Sequence, residues 1–162
     1  MTIQEAYGRL KSEFGGAIAE DAGDKGLVLR EERLVDVAAY LRDALGFDYL
    51  SAVVGADYPE HFEVVYLIYS MHRAEGPVIL RVRAGKEAPQ VPSLVGVWPS
   101  ANFQEREAYD LLGIRFAGHP NLKRIFLWEG FPGHPLRKDF QNRTFTFQEL
   151  NPTNPEGVRY AD

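Results

Sequence analysis

Between Ser100 and Phe140 the sequence concentrates the side chains that could do chemistry. Glu105, Arg106, Glu107 and Asp110 come first, His119 and His134 each sit in a Gly-His-Pro, and Lys123, Arg124, Arg137, Lys138 and Asp139 complete the set. Carboxylates and imidazoles are the usual acids and bases. His119, His134 and Glu107 could hold a metal in a stand-alone metal-dependent hydrolase. The spacing gives that reading little support: no His-x-x-x-His, no Gly-x-Ser-x-Gly and no phosphate loop occurs. The competing reading makes each His a turn cap that donates to a backbone carbonyl, with the following Pro fixing the exit.

SANFQEREAYDLLG reads as a helix, with Asn102 at the N-cap and Glu105 at its third position in a capping-box arrangement. At about 100° per residue from Phe103, Glu107 falls near 40° and Leu111 near 80°. Leu112 and Glu105 fall near 180° and 200° by the same geometry. Two carboxylates thus interrupt a stripe that should be apolar, where an unpaired charge is costly to bury. Either Glu105 caps the helix and Glu107 reaches solvent, or Lys123, Arg124, Arg137 or Lys138 meets them from downstream. In the second case they hold the loop on the helix or bind a partner's arginine. Arg106 and Asp110, four apart, are expected to pair.

The bulk numbers fit one domain of 162 residues with an ordinary soluble composition. The net charge of -5 argues against a general nucleic-acid binder. Residues 115–143 nonetheless carry six cations against Glu129 and Asp139. That basic patch on an acidic body suits a specific anionic partner or surface. With no cysteine there is no thiolate for an iron–sulfur cluster, a zinc site or nucleophilic catalysis. No apolar run approaches the ~20 residues that span a bilayer, and the N-terminus lacks a signal-peptide core. Membrane association is expected only through a partner.

The elements that must position this stretch come before it. Residues 2–14 read as a helix with a Thr2/Glu5 capping box, followed by short strands at 17–20 and 27–30. A second core helix is expected over 31–45, with Gly46 at its C-cap. From Phe47 the period changes to two, predicting an antiparallel meander over 47–56, 62–72 and 77–83. Residues 86–100 are expected to form a loop with a short covering helix. The fold class is α+β: an antiparallel or mixed sheet with helices on one face, then a charged helix and an extended C-terminal tail. The division is one domain over 1–140, with a sandwich at 1–98 and the helix and ribbon at 99–140. The tail runs over 141–162; its Thr144–Phe147 alternation reads as strand, and its aromatic, proline-rich character suggests that it lies on another chain.

EREAYDLLGIRFAGHPNLKRIF closely resembles the signature of the C subunit of NADH:quinone oxidoreductase, respiratory complex I. Its Glu-Arg-Glu falls on Glu105, Arg106 and Glu107, its acidic position on Asp110, its His on His119 and its basic end on Lys123 to Ile125. WEGFPGHPLRKDF, from Trp128 to Phe140, is similar to the family's next block. The resemblance implies a non-redox subunit of the peripheral arm of a proton-translocating complex, on the cytoplasmic side of the membrane. It implies docking on the hydrogenase-like D subunit near the quinone module, among other peripheral-arm subunits. Iron–sulfur clusters, FMN and quinone are then expected in partner chains, and no catalytic, cofactor or metal residue in this one. Glu105, Arg106, Glu107, Asp110, His119, Lys123, Arg124, His134, Arg137, Lys138 and Asp139 become a partner interface or a structural charge network. C-like subunits also occur in membrane-bound hydrogenases and ferredoxin-fed complexes. A third reading, an anion-binding module acting through the basic segment, suits the acidic composition least.

Overall fold

The computed structural model describes residues 1–72 and 76–150. Helix α1, Ile3–Phe14, starts as its sequence announces. The Thr2 hydroxyl accepts from the Glu5 N–H at 3.1 Å and the Glu5 carboxylate accepts from the Thr2 N–H at 2.7 Å. Strands β1 (Ile18–Asp21) and β2 (Leu27–Leu29) form a short antiparallel pair. Helix α2, Leu34–Asp43, follows one turn of 3-10 helix over Glu31–Arg33. The chain leaves α2 through Ala44 as the C-cap, and Gly46 (φ 73°) lies two residues beyond it.

The meander comes next: β3 (Tyr49–Asp57), β4 (His61–Tyr69) and β5 (Val78–Gly85), all antiparallel. Sheet order is β1-β2-β5-β4-β3, with β2 and β5 parallel, so the five-stranded sheet is mixed. Alternation decides which side is dry. Phe62, Val64, Tyr66 and Ile68 of β4 and Val78, Leu80 and Val82 of β5 are buried in one cluster with Leu10 of α1 and Leu34, Val37 and Leu41 of α2. Burying each such side chain contributes about 1.5–3 kcal/mol. The opposite sheet face carries Glu63, whose carboxylate accepts from Arg81 Nε at 2.9 Å and Arg83 Nε at 3.4 Å.

Two elements depart from the sequence reading. Residues 86–100 contain no short helix. They hold β6 (Gln90–Pro92), which pairs in parallel with β7 (Arg115–Ala117), and then a single turn in which Val97 and Trp98 N–H both return to Leu94 O. Thr144–Phe147 is not a strand either. Thr146 caps a one-turn helix α4, Phe147–Leu150, in a capping box with Glu149. Just before α4, the Phe145 ring lies 5.6 Å from the Phe131 ring. The proline-rich end of the tail lies outside the described residues.

Helix α3, Ala101–Leu112, packs along β3, the edge strand of the sheet. Gln104 and the N-cap Ser100 each bond a backbone group of that edge. Gln104 Oε1 accepts from Val53 N–H at 2.8 Å and the Ser100 hydroxyl donates to Leu50 O at 3.2 Å. Bare edge groups invite pairing with another chain, and the Val53 N–H and Leu50 carbonyl are occupied from within.

Candidate functional site

The three sides of α3 meet three environments. Ala101, Glu105, Ala108 and Leu112 face the sheet and are buried. Arg106, Tyr109 and Asp110 face the ribbon that follows β7. Phe103 and Glu107 face out, and Phe103 is 64% exposed. The stripe inferred from Phe103 to Leu111 is therefore not the core face; only Glu105 interrupts that one.

Glu105 is fully buried, and it does not cap α3. The helix begins two residues earlier than the Asn102 cap required, with Ser100 at the N-cap and no side-chain cap bond. Nor does a downstream cation meet it. Its carboxylate accepts from the Ser93 hydroxyl at 2.6 Å and the Leu94 N–H at 2.7 Å, tying α3 to the turn that precedes it. Burial pushes its pKa up to about 7 against the pull of those two donors. The Tyr66 hydroxyl is buried without a hydrogen-bond partner, and burial together with the Glu105 charge raises its pKa well above the ordinary range.

Asp110 is the centre of the ribbon. It too is fully buried. Oδ2 accepts from three successive backbone N–H groups, Ile125 at 3.0 Å, Phe126 at 2.8 Å and Leu127 at 3.0 Å. Oδ1 accepts from Arg124 Nη1 at 2.9 Å, so the expected Arg106 pair does not form. Burial alone would raise this carboxyl, but the Leu127 N–H, the Arg124 guanidinium and the other two N–H groups hold it below the usual range. Arg124 also donates to Phe131 O at 3.1 Å and Gly133 O at 3.0 Å. Arg106 donates to Lys123 O at 3.0 Å and Arg124 O at 3.1 Å. A segment with little ladder bonding of its own is thus folded by side chains of α3 and by its own arginine.

The histidines mark the two ends of α3. His119 Nδ1 accepts from Asn121 N–H at 3.0 Å, so Nε2 carries the proton and donates to Asn102 O at 3.0 Å. His134 Nδ1 donates to Asp110 O at 2.9 Å. Burial lowers the His134 pKa and outweighs that bond, and the nearby Arg124 and Arg137 charges add to the lowering. Eight residues of helix separate the two carbonyls, about 12 Å along the axis. The sequence-based triad of His119, His134 and Glu107 is not brought together. Among the described residues, no three His, Cys, Asp or Glu side chains are grouped to hold a metal.

The helix ends at Gly113, with φ +74°. A Cβ there would stand 2.6 Å from Arg137 Nη2 and from His134 Cδ2. Arg137 Nε donates to Leu112 O at 2.6 Å, and its guanidinium lies 4.9 Å from the centre of the Phe62 ring. The Lys138 N–H donates to Asp57 Oδ2 at 2.8 Å, while Lys86 pairs with Oδ1. Lys123 enters through its carbonyl, with its side chain exposed, and Asp139 is exposed beside Phe140. Glu107 makes no hydrogen bond or ion pair among the described residues. Ser93, Gln104 and Asp57 were missed from sequence. Their partners lie 12, 51 and 81 positions away, and no local spacing announces them.

This fold and site define a class of protein, an α+β domain that carries an aromatic ribbon latched by a buried carboxylate. Residues 27–146 match the family described as the 30 Kd subunit of respiratory-chain NADH dehydrogenase, and the chain belongs to that family. It is 45% identical over 152 residues to the second C subunit of NADH-quinone oxidoreductase from Rhizobium meliloti (strain 1021), a match spanning 89% of this chain and 82% of that one. It is 43% identical over 153 residues to the NADH-quinone oxidoreductase C subunit of Roseiflexus sp. (strain RS-1), covering 87% of each. The solved structure of a trypsin-resistant fragment of Nqo5 is similar, with a TM-score of 0.62 and 33% identity over 75% of this chain and 100% of the fragment.

Proposed function

We propose that the chain is a non-redox assembly subunit in the peripheral arm of a proton-translocating NADH:quinone oxidoreductase. In this reading it docks on the hydrogenase-like D subunit near the quinone module, on the cytoplasmic side of the membrane, and electrons pass through neighbours. The observation that carries it is the ribbon. Phe126, 64% exposed, and Trp128, 41% exposed, are presented by backbone that Asp110 and Arg124 fix in place. Exposed aromatics on a rigid support are typical anchors of protein interfaces. The absence of cysteine from the sequence denies the chain thiolate ligands for a cluster. No helix among the described residues is long and apolar enough to cross a membrane. The charge network, in this reading, shapes the docking ribbon rather than a reaction centre.

Tagged chain purified from native membranes should carry a stoichiometric hydrogenase-like chain. Substituting Phe126→Ala and Trp128→Ala together should reduce that yield at least tenfold without lowering the melting temperature. Recovery of the tagged chain with no such partner overturns the proposal.

A further inference from the structure

The outward side of α3 is unlike the two sides already accounted for. Glu107 lies one helical turn from Phe103 and one from Leu111, so apolar side chains bracket it above and below. Beside it opens a slot of about 180 Å³. Val54 and Gly55 of β3, Ala108 and Leu111 of α3, and Leu136 of the ribbon line it, and Glu107 is its one charged wall. Leu136 is 60% exposed, yet it is held in position by its N–H, which donates to Leu111 O at 3.0 Å. The slot is smaller than the roughly 300–1,000 Å³ of small-molecule sites. A single side chain suits it better than a cofactor.

No cation of the surrounding stretch answers Glu107. Arg106 is spent on the Lys123 and Arg124 carbonyls, Arg124 on Asp110, and Arg137 on the Leu112 carbonyl and the Phe62 ring. A purely apolar partner laid over this face would bury the Glu107 carboxylate without compensation, which is strongly unfavourable. A neutral donor would offset only part of that cost. An arginine or lysine meets both demands at once: its aliphatic stem packs on Leu111 and Leu136 while its head reaches the carboxylate.

We propose that this face is the seat of an arginine or lysine side chain from the partner chain, with Glu107 as its counter-ion. The inference rests on the docking reading above and names one contact within it. Exclusion of water by the surrounding leucines would strengthen the pair, so that it selects the partner as well as holding it.

The test measures the Kd of the full-length chain for the purified partner subcomplex at low and high salt. Glu107→Gln keeps the size of the side chain and should bind at least tenfold more weakly, with an unchanged melting temperature and a shallower salt dependence. Glu107→Lys should be weaker still, because it sets two cations against each other. Leu136→Ala should cost a few-fold. If Glu107→Gln binds within twofold of the unsubstituted chain, or Glu107→Lys binds as well as Glu107→Gln, no cation faces Glu107 and the inference is overturned while docking stands. If the unsubstituted chain itself binds no hydrogenase-like partner, the docking reading fails and takes this contact with it.

Discussion

The sheet half of the molecule and the ribbon are held by opposite means. The sheet is closed by strand pairing and by a continuous apolar cluster from α1 to β7. The ribbon from His119 to Phe140 has almost no ladder, and its amides and carbonyls end on Asp110, Arg106 and Arg124. Apolar packing tolerates substitution of similar volume. A buried carboxylate bonded to three consecutive N–H groups does not, since each bond specifies a position as well as an energy. The ribbon is therefore the part of this chain where conformation is bound most closely to individual residues. That suits a surface whose shape a partner must read.

The largest expected effect breaks this contrast directly. Asp110→Ala leaves three backbone N–H groups without their acceptor and removes the carboxylate partner of the Arg124 guanidinium, a loss of about 3–5 kcal/mol. The loss should stay local. Limited trypsin digestion should cut at Lys123, Arg124 or Arg137 in the variant while far-ultraviolet circular dichroism still reports the sheet. Leu80→Ala, in the apolar cluster, should cost about 2–5 kcal/mol. It should loosen sheet and ribbon together. If Asp110→Ala instead unfolded the sheet cooperatively, the two regions would be one unit and the contrast would fail.

Glu105 offers a pH test of the seam between α3 and the turn before it. Its folded pKa, about 7, lies above its ordinary value of 4.5. Its stabilising contribution is therefore complete below about pH 4.5 and is lost as pH rises toward 7, by on the order of 3 kcal/mol in all. Unfolding free energies measured across this window should fall with rising pH. In Glu105→Gln, which cannot ionise, that slope should be absent. An unchanged slope in the variant would assign the titration to another group.

The smallest of these effects concerns the hinge between helix and ribbon. Gly113→Ala places a side chain at φ +74° against Arg137 and His134. The left-handed backbone alone costs about 1–2 kcal/mol. The melting temperature should drop by a few degrees, with loss of the contact between Arg137 and the Phe62 ring. Full retention of stability would mean that the ribbon shifts freely, contrary to the latch described above.

Local chemistry was legible in the sequence where both partners lie within one turn of each other. The Thr2/Glu5 box, the face of α1 through Ala6, Tyr7 and Leu10, and the alternation of β4 and β5 are all of this kind. The resemblance carried by Glu105 to Ile125 pointed to the right family. Three errors share one cause. Asn102 resembled a cap, Arg106 and Asp110 resembled an i,i+4 pair, and Thr144–Phe147 resembled a strand, each from short-range pattern alone. A longer-range partner decided the second, since Asp110 reaches Arg124, whereas the first was decided locally by Ala101 and Asn102 N–H bonding back to Trp98 O and Pro99 O. For the third, Glu149 three positions after Thr146 was a capping signal already in the sequence. The parallel pair β6–β7 was invisible for a different reason. Each strand has three residues, one of them ends in Pro92, and α3 lies between them.

The central claim is that the ribbon is folded by the chain's own Asp110 before any partner arrives. Amide hydrogen exchange on the chain purified alone, and again in its complex, tests it most directly. The account predicts that the Ile125, Phe126 and Leu127 amides are already protected in the free chain, and that Asp110→Ala abolishes their protection. Protection of those amides that appears only on binding the partner would contradict it.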